Sequence, residues 1–120
     1  MRARRTMITL LAAGAVATAA VPALAHTDLV SSGPAKGAVV KHMPKTVVLN
    51  FGEPLQEVES VDVLLAGTDY AKSGKLNAKN ARQVRIATRN DKVGRYTVKV
   101  KIVTADGHHQ QVSYTFRVKR

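Results

Sequence analysis

Past residue 45, polar and apolar positions alternate with a period of two along most of the chain. That is the pattern of strands with one buried face. Residues 46–51 form a β-branched and aromatic run closed by Gly52 and Pro54. Residues 60–65 alternate up to Gly67, residues 83–88 up to Asn90 and Asp91, and residues 95–103 give the longest run. Residues 111–118 close the chain, and residues 29–31 predict a short opening strand before Gly33-Pro34. Between 66 and 82 lie turn residues and lysines, with at most one further strand near 75–78. No segment of this part shows a helical period. Six or seven short strands predict an all-β antiparallel sandwich with Greek-key connections. Tyr96 stands at the start of the longest strand, in the step Gly94-Arg95-Tyr96. It reads equally as a tyrosine corner, with its hydroxyl tied back to the backbone, and as an ordinary strand aromatic.

The first 25 residues follow a different pattern. Arg2, Arg4 and Arg5 form a basic opening, residues 7–21 are apolar or small with no acid, and Ala23-Leu24-Ala25 supplies a small-x-small step. Together these predict a cleavable signal peptide, 1–25, ahead of a single domain, 26–120. The apolar run is short for a span of about 20 residues. Arg4-Arg5 with apolar Met7 and Ile8 also fits a twin-arginine leader, so the Sec and twin-arginine routes stay open. Either route puts the product in the periplasm or outside the cell, with His26 as its first residue.

Composition narrows the chemistry. The chain has no cysteine, so an exported domain of this size rests on its core, and any metal must be met by imidazole, carboxylate, amine or thioether groups. Without the three leader arginines, 16 Lys and Arg stand against 8 Asp and Glu, a formal +8 for residues 26–120. These basic residues are spread along strands and turns, and the chain has only two Phe, three Tyr and no Trp. A solvated basic surface fits this better than a nucleic-acid site. No amphipathic helix points to a membrane surface.

Four histidines remain after cleavage: His26, His42, His108 and His109. An N-terminal His26 offers its free amine and its Nδ1 to one metal ion, the chelate called a histidine brace. His108 follows Asp106 in Thr104-Ala105-Asp106-Gly107-His108, just past the longest strand, and Gly107 permits a tight turn between them. If that loop packs beside the chain start, the set becomes an amine, two imidazoles and a carboxylate, donors that suit tetragonal Cu(II). Taken singly, His26 reads as an accident of the cleavage site and Asp106-Gly107 as a two-residue hairpin turn. Spacing alone does not bring the two segments together.

Across nearly its whole length, residues 26–120 resemble the CopC family of exported copper-binding proteins. The matching pieces are Ala25-His26, Ser31-Ser32-Gly33-Pro34-Ala35-Lys36-Gly37 and the segment from Pro44 to Pro54. Gly94-Arg95-Tyr96-Thr97-Val98 follows, running on through Thr104-Ala105-Asp106-Gly107-His108 to Tyr114-Thr115-Phe116. The resemblance implies a seven-stranded, cupredoxin-like Greek-key β-sandwich. It implies one Cu(II) ion held by His26, Asp106 and His108. It places Glu53, where some members have a glutamate beside the copper, as a less certain ligand; Gly52 stands here in place of a serine.

The departures also carry information. Some members hold Cu(I) in a methionine-rich loop, but Met43 is the only methionine after cleavage, so a Cu(II) site alone is expected. His42-Met43 is expected as an exposed loop pair. His109 replaces a common proline and is a competitor of His108 for the metal, and Val112 stands where glycine is frequent. The implied role is copper sequestration, resistance or delivery without catalysis, by a monomer, with a CopD-type membrane copper importer as candidate partner. Two other readings compete: a metal-free immunoglobulin-like interaction module, and a histidine-brace copper oxidase of polysaccharides. The latter needs a broad aromatic face that this chain lacks.

Overall fold

The computed structural model describes residues 27–120; the expected signal peptide, the expected cleavage point and His26 lie outside them. Within this range the strands are β1 (Leu29–Gly33), β2 (Val39–Val40), β3 (Thr46–Phe51), β4 (Leu55–Leu65), β5 (Thr68–Asp69), β6 (Ala71–Asn77), β7 (Asn80–Thr88), β8 (Gly94–Thr104) and β9 (His109–Val118). They form a four-stranded sheet in the order β1-β3-β7-β6 and a five-stranded sheet in the order β2-β9-β8-β4-β5. The chain changes sheet between β1 and β2, β2 and β3, β3 and β4, β5 and β6, and β7 and β8. The result is the expected β-sandwich, with β2 and β5 as two-residue additions to its seven longer strands.

Alternation explains how the two sheets close. Val47, Leu49 and Phe51 of β3 and Val84 and Ile86 of β7 point inward, as do Val98, Val100 and Ile102 of β8 and Tyr114, Phe116 and Val118 of β9. Tyr96 is fully buried, stacked on Phe116 at 5.5 Å between ring centroids. Its hydroxyl donates to the Lys92 carbonyl at 2.6 Å, so of the two readings of Tyr96 the tyrosine corner is the one the fold adopts. Gly74 of β6 marks a close approach of the sheets: a Cβ there would lie 2.4 Å from Cγ1 of Val61.

Two expectations are corrected. Met43 is not an exposed loop residue; it is 7% exposed and belongs to the core, because its backbone N–H is tied to Asp91 Oδ1 at 2.6 Å and turns the side chain inward. Only His42 of that pair is exposed, with Nδ1 2.8 Å from Asp91 Oδ2. The strand expected to begin at residue 60 begins at Leu55 instead. Register breaks between Leu55 and Glu57 and between Val58 and Ser60 interrupt its alternation. Each extra residue bends a strand and re-aims its side chains.

Candidate metal centre

The registers gather three distant segments at one end of the sandwich. Leu29 of β1 pairs with Phe51 of β3, Leu55 of β4 with Thr104 of β8, and His109 of β9 with Val103. Residues 27–29, the corner at 52–54 and the 104–109 hairpin are therefore neighbours.

Thr27 is the fastening point. It is 2% exposed. Its N–H donates to Gln110 Oε1 at 3.1 Å, and its carbonyl accepts from Gln110 Nε2 at 2.7 Å. Its hydroxyl oxygen accepts the Glu53 N–H at 3.0 Å, while the Gly52 N–H donates to the Asp28 carbonyl at 3.0 Å. The residue that follows His26 is thus stitched to β9, two positions past His108, and to the corner that carries Glu53.

The hairpin is organised by Thr104, which is buried. Gly107 N–H donates to the Thr104 carbonyl at 2.8 Å, and Thr104 N–H donates to the His108 carbonyl at 2.8 Å. The loop is three residues, 105–107, rather than the two of a simple Asp-Gly turn. Gly107 takes φ +90°, the left-handed conformation such a loop requires. The Thr104 hydroxyl donates to Asp106 Oδ1 at 2.5 Å. That hydrogen bond, with His108 beside it, holds the Asp106 carboxyl below the usual carboxylate range, so it is an anion at neutral pH.

His108 Nδ1 lies 3.4 Å from Asp106 Oδ1, with the two side chains 66% and 52% exposed. Two ligands bound about 2.0–2.2 Å from one metal at right angles are about 3 Å apart, so little movement separates this pair from a shared ion. Among the described residues no three His, Asp or Glu side chains converge on one point. The pair needs a further donor.

The other candidates separate. Glu53 is exposed, and its backbone is joined to Thr27. His109 turns away from the pair: its Nδ1 lies 2.8 Å from Glu59 Oε1, and Glu59 sits at one of the β4 register breaks. His42 lies near Asp91, before β8, at the far end of the sandwich. Sequence reading missed Thr27, Gln110 and Thr104, whose hydrogen bonds hold together the segments that carry the candidate residues. Only Thr104, two residues ahead of an aspartate, carried a local signal.

Charge is also less uniform than the composition implied. Asp28, Glu53, Glu57, Glu59 and Asp106 all belong to segments at this end, so the acids collect at the end that carries Asp106 and His108 although residues 26–120 are basic.

The sequence matches the CopC domain over residues 29–119. Protein YobA of Escherichia coli K12 is 30% identical over 99 residues, 79% of this chain and 80% of its own length. CopC from Methylosinus trichosporium OB3b superposes with a TM-score of 0.67 at 28% identity, over 78% of this chain and 94% of that one. PcoC from Escherichia coli, a methionine-rich copper resistance protein, gives a TM-score of 0.67 at 26% identity, over 78% and 99%. A domain match over most of the chain, with the same sandwich in both solved structures, makes this protein a member of the CopC family of copper resistance proteins.

Proposed function

We propose that this protein, exported and cleaved after Ala25, binds a single Cu(II) ion and holds it for sequestration or for delivery to a CopD-type membrane importer. Proteins of its family bind copper and are not enzymes. The ligands are the amine and imidazole of His26, the imidazole of His108 and the carboxylate of Asp106, with Glu53 as an outer carboxylate. Nitrogen donors with one carboxylate and no thiolate favour Cu(II).

The observation that carries this reading is the pair of hydrogen bonds between the Thr27 backbone and the Gln110 side chain. Consecutive Cα atoms are about 3.8 Å apart, so a Thr27 fastened beside the 104–109 hairpin supports His26 as the partner of Asp106 and His108. The restriction to one ion rests on Met43: the only methionine of residues 26–120 is packed in the core, so no thioether is free for a second, soft site. The amine (pKa about 8) and imidazole (about 6.5) must lose protons to bind, so affinity falls as the pH drops through that range.

Cu(II) titration followed by EPR, on the chain that begins at His26, is the test. A saturable one-ion spectrum with nitrogen ligands is expected, and one extra residue ahead of His26 should abolish it. Equal affinity with the extra residue would remove the brace. If stoichiometric Cu(II) leaves the melting temperature unchanged, the metal-free module is correct, because a ligand held only by the folded state must stabilise it.

A further inference from the structure

The end of the sandwich opposite the metal centre is strongly basic, and its charge is not neutralised. Arg95 of β8 and Arg117 of β9 are directly opposed in the ladder, and both are exposed. Like charges facing each other across strands are unfavourable. Among the described residues neither they nor Lys119 have a carboxylate within ion-pair distance. With Val93, Val118 and Arg120 they line a shallow groove of ≈ 400 Å³.

The two acids at this end are already engaged. Asp91 is held by Arg120 at 2.9 Å and by His42 at 2.8 Å. Asp69 accepts the N–H groups of Val63 and Ala71, both at 2.9 Å. Lys45 and Arg89, which flank strands of the other sheet, extend the basic rim round the end. The acids of the domain lie mostly at the metal end, so the molecule carries a charge dipole along its strands.

We propose that this basic end docks on an anionic phospholipid bilayer, with the metal centre directed away from the lipid. The basic groups come from both sheets and their connecting loops and surround the end. A plane of negative charge meets all of them at once, whereas an acidic peptide would engage only the groove. Apolar groups stand among the charges: Val93 is 54% exposed, and Val39, opposite Arg117 in the β2–β9 ladder, is 59% exposed. Side chains of this kind enter the headgroup boundary once the charges have docked. The inference concerns a surface remote from the metal site and holds whether or not copper is bound.

The test is co-sedimentation of the processed chain with phosphatidylcholine vesicles, with and without phosphatidylglycerol, at about 0.1 M salt, where the Debye length is about 10 Å. Binding is expected only with phosphatidylglycerol. The pair R95E and R117E should weaken it by more than tenfold, since one basic residue near an anionic leaflet contributes roughly a fivefold change in partitioning. The pair K79E and K101E, equal in charge but nearer the metal end, should weaken it far less. Circular dichroism verifies folding of each variant, and V93W should show blue-shifted emission on vesicles containing phosphatidylglycerol. Equal losses from both pairs would reduce the effect to net charge and overturn oriented docking. No binding to phosphatidylglycerol vesicles would also overturn it, including the case in which polyglutamate binds instead and marks an acidic protein as the partner. Unchanged Cu(II) titration of the R95E and R117E variant would keep any such failure separate from the copper reading.

Discussion

Gln110→Ala removes both side-chain bonds that hold the backbone of Thr27 and leaves the β8–β9 ladder in place, because that ladder runs through backbone atoms. Each bond contributes about 1 kcal/mol net, so the loss is about 2 kcal/mol for the start of the chain. For a domain of this size, about 1 kcal/mol moves Tm by roughly 4–8 °C if the whole fold feels it. Thr27 lies at the edge of the fold, and a smaller shift is expected. The larger effect should be on copper. If the stitch holds the His26 chelate beside Asp106 and His108, about 2 kcal/mol corresponds to a 20- to 30-fold weaker Kd, at 1.4 kcal/mol per tenfold. Competition titration of Cu(II) against a chelator, on native and variant chains both beginning at His26, measures it. Gln111→Ala is the control, since the neighbouring exposed residue makes neither bond. A Gln110→Ala protein with a lowered Tm and an unchanged Kd would refute the positioning role and leave Gln110 a stabilising residue only.

Thr104→Val removes the hydroxyl that holds the Asp106 carboxyl down; the Asp106 carboxyl pKa, followed by NMR, should rise toward the ordinary carboxylate value. The sign for stability follows: a depressed carboxyl stabilises the fold above its unfolded pKa and loses that contribution as pH falls through the lowered value. Native protein should therefore lose this contribution only in acid, and the variant should lack it at neutral pH. Gly74→Ala forces a methyl against Val61, at 2.4 Å from Cγ1; a loss of about 1–3 kcal/mol is expected in urea denaturation. Tyr96→Phe deletes the bond to the Lys92 carbonyl and should cost about 1–2 kcal/mol by the same measurement. An unchanged midpoint would show that the corner bond does not stabilise this sandwich.

The strands that alternate strictly were legible in the sequence. Residues 46–51 coincide with β3, and 83–88, 95–103 and 111–118 fall within β7, β8 and β9. Where legibility failed, the local pattern was broken or too short. Gln56 and Glu59 interrupt the period of β4 at its two register breaks. Gly74 and two lysines disguise β6, and β2 is two residues whose only partner is β9, nearly 80 positions away. Met43 looked like loop because its burial depends on Asp91, 48 residues later.

The site divided in the same way. Asp106 and His108 announce themselves in one pentapeptide, while Thr27 and Gln110, 83 residues apart, have no signal until the registers are known. Charge polarity was invisible for a related reason. Like charges come in runs along the chain, five acids from Glu53 to Asp69 and then six bases from Lys72 to Arg89, and those runs do not map onto the two ends. Folding sends Glu53 and Asp106 to one end and Arg95 and Arg117 to the other.

The fastening of Thr27 bears on how readily copper can be taken up and released. A chain terminus is ordinarily the least ordered part of a domain, and ordering one residue's backbone costs about 1–2 kcal/mol of conformational entropy. Because Thr27 is already fixed by its own N–H and carbonyl, a chain cleaved after Ala25, as proposed, would have only one residue left to order on capturing the ion. On the proposed ligand set, release would then require that one residue to rotate away and Asp106 and His108 to give up the ion, with no opening of the sandwich beneath them.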